Sequence, residues 1–204
     1  MVSANLSSNG LWHLLFSIND LFWNISELGV LLRGGVSKGY LFHDDDTVFG
    51  PALVEAYNFE QSVAVFPRIM LSRQVYEDAE LYAHSDPTAE VYFSSRLIRN
   101  DDGPVSLHVL LDLEAFNFHG RSNSTPNAEM HPLFSKGNNL CKALKYNLNI
   151  KMDDPPVYAK LKWFAEYFDR EVVAGKESED SFFEPFFPKQ KSGRSSCRLP
   201  FRGS

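Results

Sequence analysis

Leu11, Leu14, Leu15, Ile18, Leu21, Phe22, Ile25 and Leu28 recur at helical spacing, and His13, Asn19, Asp20 and Asn24 fall mostly on the opposite side. The pattern predicts an amphipathic helix, with Ser7 or Ser8 as its cap and Gly29 as its stop. A short apolar run at residues 30–32 follows, broken by Arg33-Gly34-Gly35, and residues 36–42 resume an extended pattern with Gly39 inside it. Glycines within strands mark a bulge or a close backbone approach. After the acidic run Asp44-Asp45-Asp46, the residues Phe49, Leu53, Ala56 and Phe59 return to helical spacing, with Pro51 placed for a first turn. Pro67 ends that pattern, and Ile69, Met70 and Leu71 read as a compact strand. Residues 29–72 therefore predict strand, turn, strand, helix, strand.

Beyond Ser72 the pattern predicts a short helix over 73–80 and a polar stretch to Asp86-Pro87. Two apolar runs, Leu97-Ile98-Arg99 and residues 105–110, then flank Asn100-Asp101-Asp102-Gly103, a hairpin signal. Residues 116–132 are rich in Gly, Ser, Asn and Pro and read as a linker or long loop. Helices are predicted over 133–149, from Leu140, Ala143, Leu144 and Leu148, and over 156–173, from Val157, Leu161, Phe164, Ala165 and Phe168. The last residues, 175–204, mix Pro, Gly, Ser and basic side chains and read as a disordered tail, and Phe182, Phe183, Phe186 and Phe187 leave docking onto a partner as the second reading.

Composition narrows the class. The 204 residues are 44% hydrophobic with mean hydropathy -0.26, ordinary for one globular domain and a tail. A net charge of -6 offers no basic stripe for a nucleic-acid backbone. The N-terminal apolar segment is interrupted by polar residues and lacks a basic lead, which argues against a signal peptide or a membrane span. Cys141 and Cys197 lie far apart, so a reducing, cytoplasmic setting is the simpler expectation. His84, His108 and His119 show no metal-ligand spacing with these cysteines.

The order RGG, G, FG, a helix with Ala and Glu, PRI and Ser across residues 33–72 resembles the middle of a class III nucleotidyl cyclase homology domain. It is most similar to the divergent bacterial branch that includes the pyrimidine (cCMP and cUMP) cyclases of anti-phage, Pycsar-type systems. The resemblance spans about residues 1–115, with an echo at 157–168. It implies an α/β fold, an α+β sandwich of ferredoxin-like cyclase type, incomplete at its N-terminus and carrying extra C-terminal helices. The expected organisation is a cyclase-like core over 1–115, the linker 116–132, a helical pair 133–174 and the tail 175–204.

The resemblance also implies a reaction. Such domains close the 3′ oxygen of a nucleoside triphosphate onto its α-phosphate with Mg²⁺ or Mn²⁺, held by two aspartates that would fall before residue 1. They work as homodimers, with metals on one protomer and transition-state donors on the other. The donor Asn and Arg of the family's helix align with Val54 and Asn58, so only Asn58 keeps a hydrogen-bonding side chain for a catalytic role. Thr47 falls where adenylate cyclases keep a base-reading Asp, with Asp46 beside it. Both are candidate substrate-binding residues. Arg33 stands between two readings, a fork of donors for a triphosphate or an ion pair with Glu55 or Glu60. Arg68 reads as a surface or interface ion pair. The run Asp44 to Asp46 reads as a solvated turn between strand and helix rather than a metal site, because consecutive carboxylates point in different directions.

Two functions follow. One is a cyclase forming a 3′,5′-cyclic nucleotide for anti-phage signalling. The other is a cyclase-like module that binds nucleotide, or only dimerises, without catalysis. Without its first strand, the isolated chain is also expected to be poorly stable.

Overall fold

The computed structural model describes residues 1–85, 87–115, 131–173, 183, 186 and 187. The expected linker lies outside them except for its last two residues, and so does the tail apart from three phenylalanines. The chain divides into two compact units, one built from Met1–Phe22 and Leu32–His108, the other from Trp23–Leu31 and the described part of Val109–Ser195.

The first unit is mixed α/β. Helix α1 (Ser8–Ser26) begins in it, with the Ser7 hydroxyl accepting the Gly10 amide at 3.0 Å as the N-cap. Leu15 and Phe22 are buried, as the periodicity predicts, but Asn19 is buried as well despite its assignment to the polar side. Trp12 stacks on Phe16 at 5.4 Å and lies 5.4 Å from Tyr92.

Four short strands, β1 (Gly34–Val36), β4 (Ile69–Leu71), β5 (Leu97–Arg99) and β6 (Val105–Leu107), form one sheet in the order β1-β4-β6-β5. β1 runs parallel to β4 in the register Gly34↔Ile69, and β4–β6 and β5–β6 are antiparallel. β4 and β6 are buried along their whole length, as strands covered on both faces should be. Between β5 and β6 the predicted hairpin forms, with the Gly103 amide on the Asn100 carbonyl at 2.9 Å and Gly103 at φ +101°, a conformation that favours glycine.

The parallel connection from β1 to β4 carries helix α2 (Pro51–Ser62), with Pro51 in its first turn. α2 packs onto β1 so closely that a Cβ on Gly35 would stand 2.6 Å from the Ala56 carbonyl oxygen. Gly35 is thus the point of close backbone approach that a glycine in this strand signals. The extended stretch expected to reach residue 42 stops earlier. Beyond Val36 the Ser37 hydroxyl donates to the Ala52 carbonyl at 2.6 Å, and the chain leaves the sheet. It returns as a small hairpin, β2 (Phe42–His43) with β3 (Val48–Phe49), which makes Asp44–Asp46 the turn of a hairpin rather than a strand-to-helix connection.

Helices α3 (Arg73–Ser85) and α4 (Pro87–Arg96) pack together and complete this unit. Residues 81–85, expected to be polar loop, continue α3. Pro87 opens α4 rather than ending a helix, since a first-turn proline leaves no hydrogen bond unmade, and Phe93 anchors α4 in the core. Arg68 makes an ion pair, as expected, but is buried instead of lying at the surface. It is only 6% exposed and forms a two-pronged pair with Asp102.

In the second unit, α5 (Pro132–Ile150) and α6 (Pro155–Phe168) pack side by side, and a π-helical turn (Asp169–Val173) follows α6. His131 Nδ1 and the Asp154 carboxylate cap the two helices by accepting the amides of Leu133 and Val157. Glu27, within Trp23–Leu31, accepts from Asn139 at 3.2 Å, and the Gly29 carbonyl accepts from Asn147 at 3.3 Å. Trp23, Leu140, Leu144, Leu161, Phe164, Tyr167 and Phe168 are buried. Phe183 is buried too, at 4% exposure, so this part of the expected tail packs onto the chain's own helices.

Candidate functional site

The first unit contains a cleft of about 860 Å³, within the range of small-molecule sites. It is bounded by residues 1–7, by Leu11, Leu14 and Ile18 of α1, by residues 35–41 with His43, by Ala52, Leu53 and Ala56 of α2, and by Val75, Asp78 and Tyr82 of α3. Gly35 and Gly39 keep the loop after β1 close to α2, the Gly39 Cα facing Ala52. Val75, Asp78 and Tyr82 reach the cleft together because their spacing, three and then four residues, sets them on one side of α3.

Polar residues, among them Ser3, Asn5, Ser37, Tyr40 and Tyr82, stand beside the apolar ones. The Lys38 ammonium lies 2.9 and 2.8 Å from the two carboxylate oxygens of Asp78. The hydrogen bond to Asp78 raises the Lys38 pKa above its ordinary value, with burial opposing and the carboxylate charge assisting. Lys38 therefore stays a cation throughout the physiological range. Ser3 Oγ and His43 Nδ1 are 2.6 Å apart at another polar position of the cleft. A mixed lining whose one lysine is held by a carboxylate suits a small ligand that has both apolar and hydrogen-bonding parts.

The residues singled out by the sequence lie elsewhere. Arg33 forms an ion pair with Glu60, the structural partner of the two readings. Asp46 and Thr47 are in the β2–β3 turn, where their amides donate to the Asp44 carboxylate at 3.1 and 2.8 Å. Asn58 is exposed on α2, its carbonyl accepting from the Ser62 hydroxyl, and Val54 one turn earlier is 58% exposed. None of these five lines the cleft. Those that do, Lys38, His43 and Asp78, carried one usable signal: a lysine set between glycines in Gly34-Gly35-Val36-Ser37-Lys38-Gly39, directly after a strand.

The cleft does not fit a pair of divalent ions. Among the described residues its sole carboxylate is Asp78, already neutralised by Lys38, whereas a two-metal centre needs converging carboxylates. Nor do the acids of the β2–β3 turn converge, because the Asp44 carboxylate is turned back onto its own backbone. Among the described residues no helix is long and apolar enough to cross a membrane. Comparison with models of known protein families, with curated proteins and with solved structures gives no match in any of the three.

Proposed function

We propose that the first unit is a class III cyclase-like domain that binds a nucleoside triphosphate, and that this chain serves as a nucleotide-binding module of the pyrimidine-cyclase branch. The observation that carries the reading is the pairing of β1 with β4. The segments that carry the resemblance, Arg33-Gly34-Gly35, Phe49-Gly50, α2 and Pro67-Arg68-Ile69, form one strand–helix–strand unit with α2 seated on Gly35. In this reading Lys38 exchanges its Asp78 partner for a phosphate, and the apolar part of the lining takes the base.

The catalytic alternative has its own supporting feature. Val54 and Asn58 are both exposed and four residues apart, so Asn58 is free to reach a triphosphate held by a second copy, as donors on this helix do in the family. The cleft's single, ion-paired carboxylate favours binding without turnover for these residues.

Incubation with each of the four triphosphates and Mn²⁺, followed by chromatography and mass spectrometry of the products, separates the two. Binding with no cyclic product supports the module. A cyclic pyrimidine product supports the catalytic alternative, and exclusive formation of cAMP overturns the branch assignment.

A further inference from the structure

Lys38 and Asp78 hold each other from parts of the first unit that differ in freedom. Asp78 stands on α3 among the buried residues Val75, Ala79 and Ala83, so the backbone that carries it is fixed by packing. Lys38 sits on the loop that leaves β1 after Val36, at the end of a flexible four-carbon stem. The Asp78 side chain is also the more buried of the two, 17% exposed against 33% for Lys38. The lysine is therefore the partner that can move, and the carboxylate is a fixed negative charge in the cleft.

Such a charge acts on every anion that enters. Both carboxylate oxygens lie on the ammonium, at 2.9 and 2.8 Å, so an incoming anion must break a charged, hydrogen-bonded pair and leave Asp78 without its partner. That cost is the same for all anions. The gain is not, because attraction to a near ammonium exceeds repulsion from a carboxylate farther off by an amount that grows with the ligand's charge. A singly charged group replaces one carboxylate contact with a similar one and gains nothing. A multiply charged group gains more than the pair costs.

Given the reading that the first unit binds a nucleoside triphosphate, we propose that Asp78 is the specificity-determining residue of the cleft. It sets a charge threshold: a polyphosphate reaches Lys38, and a singly charged phosphodiester does not. The cleft thereby separates a triphosphate from the 3′,5′-cyclic nucleotide derived from it, although both present the same base to the apolar part of the lining.

The test is calorimetric titration of UTP, cyclic UMP and uridine into the full unaltered chain and into Asp78→Asn, with circular dichroism to check that both are folded. On the unaltered chain UTP binds, and cyclic UMP binds no more tightly than uridine. Asp78→Asn keeps the shape and removes the charge, so UTP should bind about tenfold more tightly than to the unaltered chain, and cyclic UMP about fivefold more tightly than uridine. UTP bound by the unaltered chain but no more tightly by Asp78→Asn overturns the threshold alone, because Asp78 then serves to position Lys38. Cyclic UMP bound more tightly than uridine by the unaltered chain overturns it without any variant. UTP bound by neither chain overturns the nucleotide-binding reading as well.

Discussion

The guanidinium of Arg68 is buried against the carboxylate of Asp102, which ties the residue before β4 to the turn between β5 and β6. The two residues are 34 positions apart, and the pair links two parts of the sheet that are distant in sequence. Arg68→Ala removes a charged, two-pronged hydrogen bond and should lower stability by about 1.5–3 kcal/mol in urea unfolding at pH 7. The hydrogen bond from Arg68 holds the Asp102 carboxyl below its ordinary range. A depressed carboxylate stabilises the fold above its unfolded value, about 3.9, and loses that contribution as pH falls through the folded value. The gap between the unaltered chain and Arg68→Ala should therefore be full at pH 6 and narrow in strong acid. A gap independent of pH would show that the effect is packing alone.

Adjacent glycines in β1 should respond differently to the same change. Gly35→Ala forces a methyl group to within 2.6 Å of the Ala56 carbonyl oxygen and should cost about 1–3 kcal/mol, because the helix must move away. Gly34→Ala meets only the Ile69 methyl at 3.5 Å, ordinary contact, and should be neutral or slightly stabilising by about 0.5 kcal/mol. Thermal unfolding of the two variants side by side checks the ordering. Equal losses would mean that α2 does not lie where the register of β1 requires.

The same pair of glycines shows how far the sequence could be read. The reading of strand, turn, strand, helix, strand finds the helix with its early proline and the strand Ile69–Leu71, but the partner strand lies on Gly34–Val36, where the turn was expected, and residues 30–32 form no strand. What the pattern cannot carry is where the strand ends. Ser37 reads as one more alternating residue, yet its hydroxyl is drawn to the Ala52 carbonyl, a contact fixed by tertiary packing. Arg68 misleads for the same reason, since a charged residue after a proline is usually at the surface and its burial depends on a carboxylate far along the chain. The polar composition before Pro87 reads as a stretch without structure, yet Pro87 begins α4. The site fared worst. Lys38 and Asp78 are 40 residues apart, and only the fold brings the loop after β1 to α3.

Burial pushes the Cys141 thiol up to about 12, so little of it is thiolate at neutral pH. In a Cys197→Ser chain, which leaves Cys141 as the single thiol, alkylation by iodoacetamide at pH 8 should be at least about tenfold slower than in urea. Equal rates would show that α5 opens readily at this position.

The most direct test of the nucleotide-binding reading is calorimetric titration of UTP, CTP, ATP and GTP into the unaltered chain and into Lys38→Gln. Saturable binding with a pyrimidine triphosphate competing against ATP and GTP, weakened about tenfold or more by Lys38→Gln, is the predicted result. Absence of binding by all four triphosphates at millimolar concentration, with the chain shown to be folded in the same sample, would contradict it.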